Sequence, residues 1–438
     1  MTTSTDIKQW AVGTFVPSIA PPAPTMEGEM IELNVNDVVY REDLYPRLSP
    51  DHAMIERYAG AIKYLPAIQV NQNNILIDGY HRWQAHRLAE QETIKVDIIE
   101  TSSEAELEIL AYRLNSNHGM QLTTKEKQRF ARRQIDSLGA SEIGKILSVN
   151  EKTIRRWTEQ RRRELKDERN QAILDLYLHA KNTQEIIAET IGTTHQTVSN
   201  VLDGFAKNGQ MSEICKDFQP YLYNIWKLGK SDNETDYFGH FPVVCMENVL
   251  FYHTQMFDVI YDPFAGSGTT ADICRKWYRR FYCSDLNVIP GREADIKPWD
   301  IANGLPADLP KPDLAFLDPP YWKQAEGQYS KQGEDLGNMS LDDFESSMRA
   351  FLQNLVEKKT TQIAIVIQPT QYSNELVYED HVFFFDSCLR NDYRIKMRYI
   401  LPYSTQQYNP QQVEKAKQEN VCLALHRDLV IWERCNHG

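Results

Sequence analysis

The hydrophobic positions of the chain fall into three stretches with different spacing. Between residues 30 and 100, short apolar runs such as MIELNV, AIQV, NILI and KVDII alternate with helical stretches, which predicts a small α/β domain. From residue 104 to about 209 the spacing is helical, with Gly139 and Gly192 near expected helix ends. From residue 243 to 433 strands and helices alternate again. This alternation predicts a parallel sheet with crossover helices.

The length of the chain, 438 residues, exceeds one ordinary hydrophobic core, so two or three folded domains are expected. Residues 1–29 contain the run VPSIAPPAPT, which cannot build a regular core element and is interpreted as a flexible arm. The other boundaries are placed at 30–117 for the small α/β domain, 118–210 for the helical region and 211–438 for the second α/β domain.

Composition limits the classes of protein that the chain can represent. Hydrophobic residues make up 42% and charged residues 25%, as in ordinary globular proteins, and no apolar run approaches a membrane span. The N-terminus lacks a secretory signal pattern. The seven cysteines form no CxxC pair and have no histidine at metal-ligand spacing, so we expect no metal site. Together these features predict a protein of the cytoplasm with reduced thiols.

Charge is distributed unevenly along the chain. The net charge of −13 argues against a surface that is coated by nucleic acid throughout. Residues 121–180 nevertheless hold 14 lysines and arginines against 9 acidic residues. This basic island suggests one module that faces nucleic acid. A solvated helix with alternating charges explains the same counts, and both interpretations stay open.

The segment FDVIYDPFAGSGTTADICRKWYRRFYCSD is typical of a strand, a glycine-rich turn, a helix and a second strand. Gly266 and Gly268 allow a sharp turn and a close approach by a ligand, and a helix beginning near Thr269 offers unpaired amides. Asp285 closes the second strand nineteen residues after Gly266, where an acid commonly binds a ribose diol. The pattern favours a nucleoside cofactor, and a plain βα turn is the alternative.

A second motif, DPPY, follows a short apolar strand at Leu314–Leu317. Asp318 lies 56 residues after Asp262, which is enough for two βα units between the first and fourth strands. Both loops would then meet at the carboxyl edge of one sheet, where open α/β folds bind their ligands. An acid-capped proline turn without chemistry is the alternative interpretation.

The two motifs together resemble those of DNA adenine-N6 and cytosine-N4 methyltransferases. The resemblance implies a Rossmann-like, S-adenosylmethionine-dependent methyltransferase fold for residues 211–438, S-adenosylmethionine as cofactor, and a bacterial, phage or mobile-element host. It assigns cofactor contacts to Asp262, Phe264, Ala265, Gly266, Ser267, Gly268, Thr269, Asp285, Asp300 and Pro242. The family's Lys-Pro pair near Pro242 and the third glycine of a dinucleotide fingerprint are both absent.

The chemistry of the resembling family explains the residues of the second motif. An aromatic amine is a poor nucleophile because its lone pair is delocalised, so Asp318 and the Pro319 carbonyl are expected to accept its protons. Pro320 stiffens the turn, and Tyr321 offers a stacking face for a base flipped out of the duplex. The leading aspartate favours adenine, since cytosine-N4 enzymes usually have serine there. Cytosine-N4 methylation stays open as the alternative.

The front end resembles the ParB/sulfiredoxin-like domain in the stretch ILIDGYHRWQAHRLAE. Gly79, Arg82 and Ala85 match its signature loop. CTP-hydrolysing members have a glutamate and a second arginine where this chain has Tyr80 and His81, so hydrolysis is not expected. Arg82 and His81 are candidates for phosphate contact, and a structural role for His81 in the turn is equally compatible with the sequence.

Two helix-turn-helix patterns follow, SEIGKILSVNEKTIRRWTEQ and TQEIIAETIGTTHQTVSNVL. Their outward positions predict contact with double-stranded DNA by Lys152, Thr153, Arg155, Arg156, His195 and Gln196. The polar stretch after Ser404, with Gln406 and Gln407, is a competing candidate for base contact.

Other functions stay open at this level. A ParB-type regulator could carry a methyltransferase half that only senses the cofactor, and RNA could replace DNA as the substrate. The sequence also leaves open a homodimer and a restriction partner. At the end of the chain, the runs at 399–402 and 429–433 predict the final hairpin of the methyltransferase sheet.

Overall fold

The computed structural model describes residues 31–47, 50–117, 122–207, 217–227, 241–322, 336–372, 377–403 and 408–435. The arm predicted at 1–29 and the candidates Gln406 and Gln407 lie outside these residues. The chain forms two compact units, residues 1–169 and 170–438. Within the described ranges, no helix is long and apolar enough to cross a membrane, and no cluster of side chains is suited to hold a metal ion.

The first unit consists of a small sheet with helices and a helical part. Its elements are β1 (Ile31–Asn34), α1 (His52–Ala59), β2 (Ile68–Val70), β3 (Leu76–Asp78), α2 (Tyr80–Leu88), β4 (Thr93–Ile98), α3 (Glu104–Asn117), α4 (Thr124–Gln134), α5 (Ala140–Leu147) and α6 (Glu151–Trp157). The sheet has the order β1-β4-β2-β3, in which only β2 and β4 are parallel. The predicted small α/β domain is therefore present.

The signature loop of this first unit is held by its own side chains. Gly79 has a φ of 108°, and a Cβ there would lie 2.6 Å from Ile68, so only glycine fits. Arg82 forms a 2.7 Å ion pair with Asp78 and donates to the Pro66 carbonyl. The His81 ring accepts a hydrogen bond from the amide of Asp51. These contacts give Arg82 and His81 structural partners within the unit.

The first helix-turn-helix pattern corresponds to α5 and α6. α5 ends at Ser148 in the left-handed conformation, and the Val149 amide donates to the Gly144 carbonyl. A Cβ at Gly144 would lie 2.7 Å from the Val149 carbonyl oxygen, so glycine permits the close turn. Ile143, Ile146 and Ile154 are buried in the core of the helical part, as the pattern predicts.

The second unit contains the second helical pair and the large sheet. α7 (Glu159–Leu178) crosses the division between the units. The further elements are α8 (Gln184–Ile191), α9 (His195–Lys207), α10 (Val243–His253), β5 (Val259–Asp262), α11 (Thr269–Lys276), β6 (Arg280–Asp285), β7 (Ile296–Pro298), β8 (Leu314–Leu317), α12 (Leu341–Glu357), β9 (Gln362–Ile367), β10 (Thr370–Tyr372), β11 (Val377–Glu379), α13 (His381–Leu389), β12 (Tyr393–Pro402), α14 (Pro410–Gln418) and β13 (His426–Arg434).

The large sheet has seven strands in the order β12-β13-β9-β8-β5-β6-β7. The five strands β5 to β9 are parallel, and β12 and β13 form an antiparallel hairpin against β9. The predicted parallel sheet and its final hairpin are both confirmed. Because β5, β6 and β8 are adjacent, the loops that follow them open at one edge of the sheet.

The end of α7 and the connection that leads to α8 pack against this sheet. The amide of Ala180 donates to the Phe281 carbonyl of β6 (2.9 Å). The Arg280 guanidinium donates to the carbonyls of Tyr177, Ala180 and Asn182, at 2.9–3.1 Å. Phe205 of α9 contacts Tyr278. The pair α8–α9 therefore belongs to the same folded unit as the sheet.

Candidate active site

One buried carboxylate shapes the loop after β5. Asp262 accepts hydrogen bonds from the Phe264 amide (2.9 Å) and from the Thr270 hydroxyl (2.5 Å). Burial raises the pKa of Asp262 to about 7, and the two hydrogen bonds oppose that rise. Asp262 thereby ties both ends of the loop together, so the glycine-rich turn between β5 and α11 is held in one conformation.

The turn itself depends on its two glycines. Gly266 and Gly268 have φ values of 48° and 87°, in the left-handed region that favours glycine. The Gly268 amide donates to the Ala265 carbonyl (2.7 Å), and the hydroxyls of Ser267 and Thr269 are 3.3 Å apart. α11 begins at Thr269, so its N-terminal turn adjoins the glycine-rich loop.

Asp285 joins this turn to the next strand. It ends β6, and its Oδ2 accepts a 2.8 Å hydrogen bond from the Gly266 amide. Its Oδ1 accepts from the Asn287 amide (2.9 Å). The carboxylate is thus fixed at the carboxyl edge of the sheet, a position at which an acid commonly binds ribose hydroxyls.

A cavity of about 560 Å³ lies over this edge and brings the two sequence motifs together. Six predicted site residues line it: Phe264, Gly266, Asp285, Asp300, Asp318 and Pro320. The wall described by the structure does not include the other predicted residues of this site, which are Asp262, Ala265, Ser267, Gly268, Thr269, Pro242, Pro319 and Tyr321. Two of these hold the loops through side-chain hydrogen bonds, Asp262 in the first and Tyr321 in the second.

Several residues of the cavity wall were not identified from the sequence. α12 supplies Ser347, Phe351 and Asn354, and the segment before Asp300 supplies Trp299. The Trp299 indole donates to the Gly304 carbonyl (2.8 Å), while Asp300 caps the following turn through the Ala302 amide. An amphipathic helix such as α12 has no sequence feature that separates a cavity wall from ordinary core packing.

The DPPY loop follows β8, and Asp318 lies at its start. The Tyr321 hydroxyl donates a 2.8 Å hydrogen bond to Oδ1 of Asp318. Burial raises the pKa of Asp318 to about 6, while Arg427 and the bond from Tyr321 lower it. The Tyr321 ring packs against the core, so the structure adds a polar role to the stacking role expected from the sequence. Trp322 is a buried core residue whose indole donates to Met339.

Arg427 is a neighbour of this loop that the sequence analysis missed. It lies in β13, is only 8% exposed, and its Nη1 donates to the Tyr321 hydroxyl (3.4 Å). A charged residue at the head of the apolar strand LVIW is an unusual signal that could have drawn attention to it. Pro242 caps α10, and Phe241 before it contacts Arg427. Gly239 and His240 lie outside the described residues.

The residues expected to contact DNA are solvent-exposed or nearly so. On α6, Lys152, Arg155 and Arg156 are exposed and Thr153 is half-buried, with Arg155 bound to Glu151 (2.7 Å). In the second unit, His195 and Gln196 are exposed at the start of α9. His195 lies 3.3 Å from Glu185, and Gln196 donates to Asn200.

The sheet order, the glycine-rich loop and the acidic residue at the end of the neighbouring strand define a Rossmann-like, S-adenosylmethionine-dependent methyltransferase. Residues 114–288 match the model of the N6/N4 DNA methylase family, described as DNA methylase, which confirms the predicted resemblance. The matched segment contains the cofactor loop and ends before DPPY. This family indicates N6-adenine or N4-cytosine methylation of DNA, with S-adenosylmethionine as the methyl donor.

The solved structures that match parts of this chain include a chromosome-partitioning protein and a methylase. A C-terminally truncated chromosome-partitioning protein ParB from Caulobacter crescentus, complexed to the centromeric parS site, is 12% identical, with 42% of this chain and 98% of that chain covered and a TM-score of 0.24. An rRNA methylase from Streptococcus thermophilus is 13% identical, with 45% and 98% covered and a TM-score of 0.27. No curated protein matches the chain.

Proposed function

We propose that the chain transfers a methyl group from S-adenosylmethionine to the exocyclic amine of adenine in DNA, giving N6-methyladenine. The observation that carries this proposal is a shared cavity. Gly266 and Asp285, the candidate cofactor residues, line the same cavity as Asp318 of DPPY. A carboxylate that could act on an amine therefore opens into the same space as the residues that could hold a nucleoside.

The residues around the cavity fit the cofactor in kind. Asp285 offers carboxylate oxygens to ribose hydroxyls, Asp300 to an adenine amine, and the apolar wall of Phe264 and Phe351 to ring faces. When bound, S-adenosylmethionine supplies an electrophilic methyl group on its sulfonium. The chain supplies the rest of the site.

Asp318 is the residue that would make the amine reactive. Its carboxylate and the Pro319 carbonyl accept hydrogen bonds from the two N–H groups of the amine. The nitrogen lone pair is then directed away from the ring. Asp318 then takes up the proton that the nitrogen releases on gaining the methyl group. The aspartate in the first position of DPPY supports adenine as the base.

Nucleoside analysis of DNA from cells that express the chain tests this function, with Asp318→Ala as the matched inactive control. N6-methyladenine that is absent from the control supports the proposal. N4-methylcytosine would overturn the choice of base while keeping the class of enzyme. Methylation confined to RNA would contradict the choice of polymer. Nucleic acid that stays unmodified although the protein is expressed would favour a cofactor-sensing regulator.

The exposed face of α6 supports double-stranded DNA as the partner. Lys152, Arg155 and Arg156 present cations that suit phosphates, and His195 and Gln196 of α9 present groups that suit base edges. Under this proposal the first unit contributes most of the affinity, because α8 of the second pair carries the acidic residues Glu185 and Glu189.

A further inference from the structure

Arg427 and Asp318 are linked through one hydroxyl group. The Nη1 of Arg427 donates to the Tyr321 hydroxyl (3.4 Å), and this hydroxyl donates to Oδ1 of Asp318 (2.8 Å). The three side chains come from two elements that are far apart in sequence, the DPPY loop and β13. The link therefore exists only in the folded protein.

Packing alone does not account for a cation at position 427, because one donor of the Arg427 guanidinium is left without a partner in the described part of the chain. Its guanidinium lies between the rings of Phe241 and Tyr403, 5.7 and 5.2 Å from their centres. Its Nε is buried and finds no hydrogen-bond partner among the described residues. A buried donor without a partner is destabilising, so an apolar side chain would be the more stable choice for packing alone.

The position of Arg427 balances the other charges near Asp318. Asp262 at the end of β5 is a neighbouring acid, and burial together with the charge of Asp318 raises its pKa. Tyr321 and Tyr403 contribute hydroxyls, of which Tyr403 donates to Gln368 (2.7 Å). Among the described groups that act on Asp318, Arg427 is the cation.

We propose that Arg427 is a positioning residue for methyl transfer, which keeps Asp318 ionised and holds its carboxylate in place through Tyr321. The inference rests on the proposed function, because it assigns Asp318 as the group that accepts the amine protons. It adds a requirement that the DPPY motif does not contain, namely a cation supplied by the last strand of the sheet.

The pH dependence of turnover tests this role in the full-length protein. With cofactor and DNA saturating, Arg427→Gln should move the acidic limb of the kcat profile upward by about one pH unit or more, because an opposite charge has been lost. Turnover below the limb then falls about tenfold, while the KM for the cofactor stays within about twofold. Arg427→Lys should restore most of the limb, since it keeps the charge.

Arg398→Gln is the matched control. Arg398 is a cation of the same hairpin, but it binds Asp428 (2.9 and 3.0 Å) and not the DPPY loop. We expect it to lower thermal stability and to leave the acidic limb in place. If Arg427→Gln is too unstable to assay, Tyr321→Phe breaks the same link and should move the limb in the same direction.

Carboxyl titration gives a readout that does not need activity. In protein labelled with ¹³C at the aspartate carboxyls, the signal missing from Asp318→Asn identifies Asp318, and its pKa should rise in Arg427→Gln. If the wild-type enzyme methylates DNA but Arg427→Gln changes neither the pKa of the Asp318 signal nor the acidic limb of the kcat profile, the inference is overturned. Failure of the proposed function would appear differently. The Asp318 signal of the wild-type protein would still titrate, but the protein would methylate no DNA.

Discussion

The backbone amide of Gly266 donates a hydrogen bond of 2.8 Å to Oδ2 of Asp285. This bond connects the turn after β5 with the end of β6, and the same carboxylate also accepts the Asn287 amide. Asp285 thus fixes two loops of the cavity wall and also presents oxygen atoms to the cavity. A single side chain combines support of the turn with a candidate ligand contact.

Asp285→Ala should weaken S-adenosylmethionine binding by about one to two decades, because charge-assisted hydrogen bonds to ribose hydroxyls are worth about 1.5–3 kcal/mol. Isothermal titration calorimetry measures the change. Asp308→Ala is the control, since Asp308 binds Lys297 and Tyr282 and does not line the cavity. Equal dissociation constants for wild type and Asp285→Ala would remove this residue from the site.

Gly266→Val should abolish cofactor binding and lower the free energy of unfolding. A side chain at a φ of 48° costs about 1–2 kcal/mol, and it would also enter the cavity that Gly266 lines. Gly139→Val is the control, because Gly139 has a φ of −69° and open space around its Cβ position. Thermal melts with and without cofactor measure both effects, and a Gly266→Val protein that is still stabilised by cofactor would contradict the assignment.

Asp318→Ala should abolish methyl transfer and leave cofactor affinity within about threefold of wild type, since the carboxylate acts on the base. Wild-type turnover should depend on pH through the same group. Burial raises the pKa of Asp318 to about 6, so the carboxylate forms as pH rises through 6 and activity is lost as pH falls below it. A profile that is flat between pH 5 and 8 would argue against Asp318 as the acceptor.

Arg155→Glu combined with Arg156→Glu should weaken DNA binding for every sequence and flatten its salt dependence, because phosphate contacts release counterions. Fluorescence anisotropy over a range of salt concentrations gives the slope. Arg390→Glu combined with Arg394→Glu makes the same change of charge directly after α13 and in β12 and should have little effect.

His195→Ala combined with Gln196→Ala should instead reduce discrimination between DNA sequences and keep the salt slope, since base-edge contacts release few counterions. Methylation mapping across a random library measures the discrimination. Unchanged site preference in this variant would move the search for sequence recognition to the loop that begins at residue 404.

Truncation should distinguish the two helical pairs. A chain that begins at residue 170 keeps the contacts of Arg280 with Tyr177, Ala180 and Asn182, and it should fold, bind cofactor and methylate DNA poorly. A chain that begins at residue 211 loses these contacts and should melt at a lower temperature. If the chain from 170 methylates DNA at the full rate, the α5–α6 pair does not supply the affinity.

The sequence predicted the elements whose signals are local. The turn glycines Gly266 and Gly268, the strand before DPPY and the final hairpin all carry patterns within a few residues, and the structure has each of them. The partner of Asp318 could not be predicted in this way. Arg427 lies 109 positions beyond Asp318, and only the antiparallel pairing of β13 with β9 brings it to the DPPY edge.

The association of α8–α9 with the unit of the large sheet could not be predicted from the sequence, for a similar reason. The sequence grouped both helical pairs in one region, 118–210, because their patterns resemble each other. The contacts that join the connection before α8 to β6 use mainly backbone carbonyls of Tyr177, Ala180 and Asn182. Backbone groups are present at every position, so no residue type marks them as binding partners.

The hydrogen bond between the Ala180 amide and the Phe281 carbonyl has a consequence for solubility. β7 pairs with β6 only from Cys283 onward, so the connection after α7 covers the part of the β6 edge that precedes it. An uncovered strand edge of apolar residues is a template for pairing with another chain. Fragments that lack this connection should therefore aggregate through β6, because the connection protects this edge of the sheet from self-association.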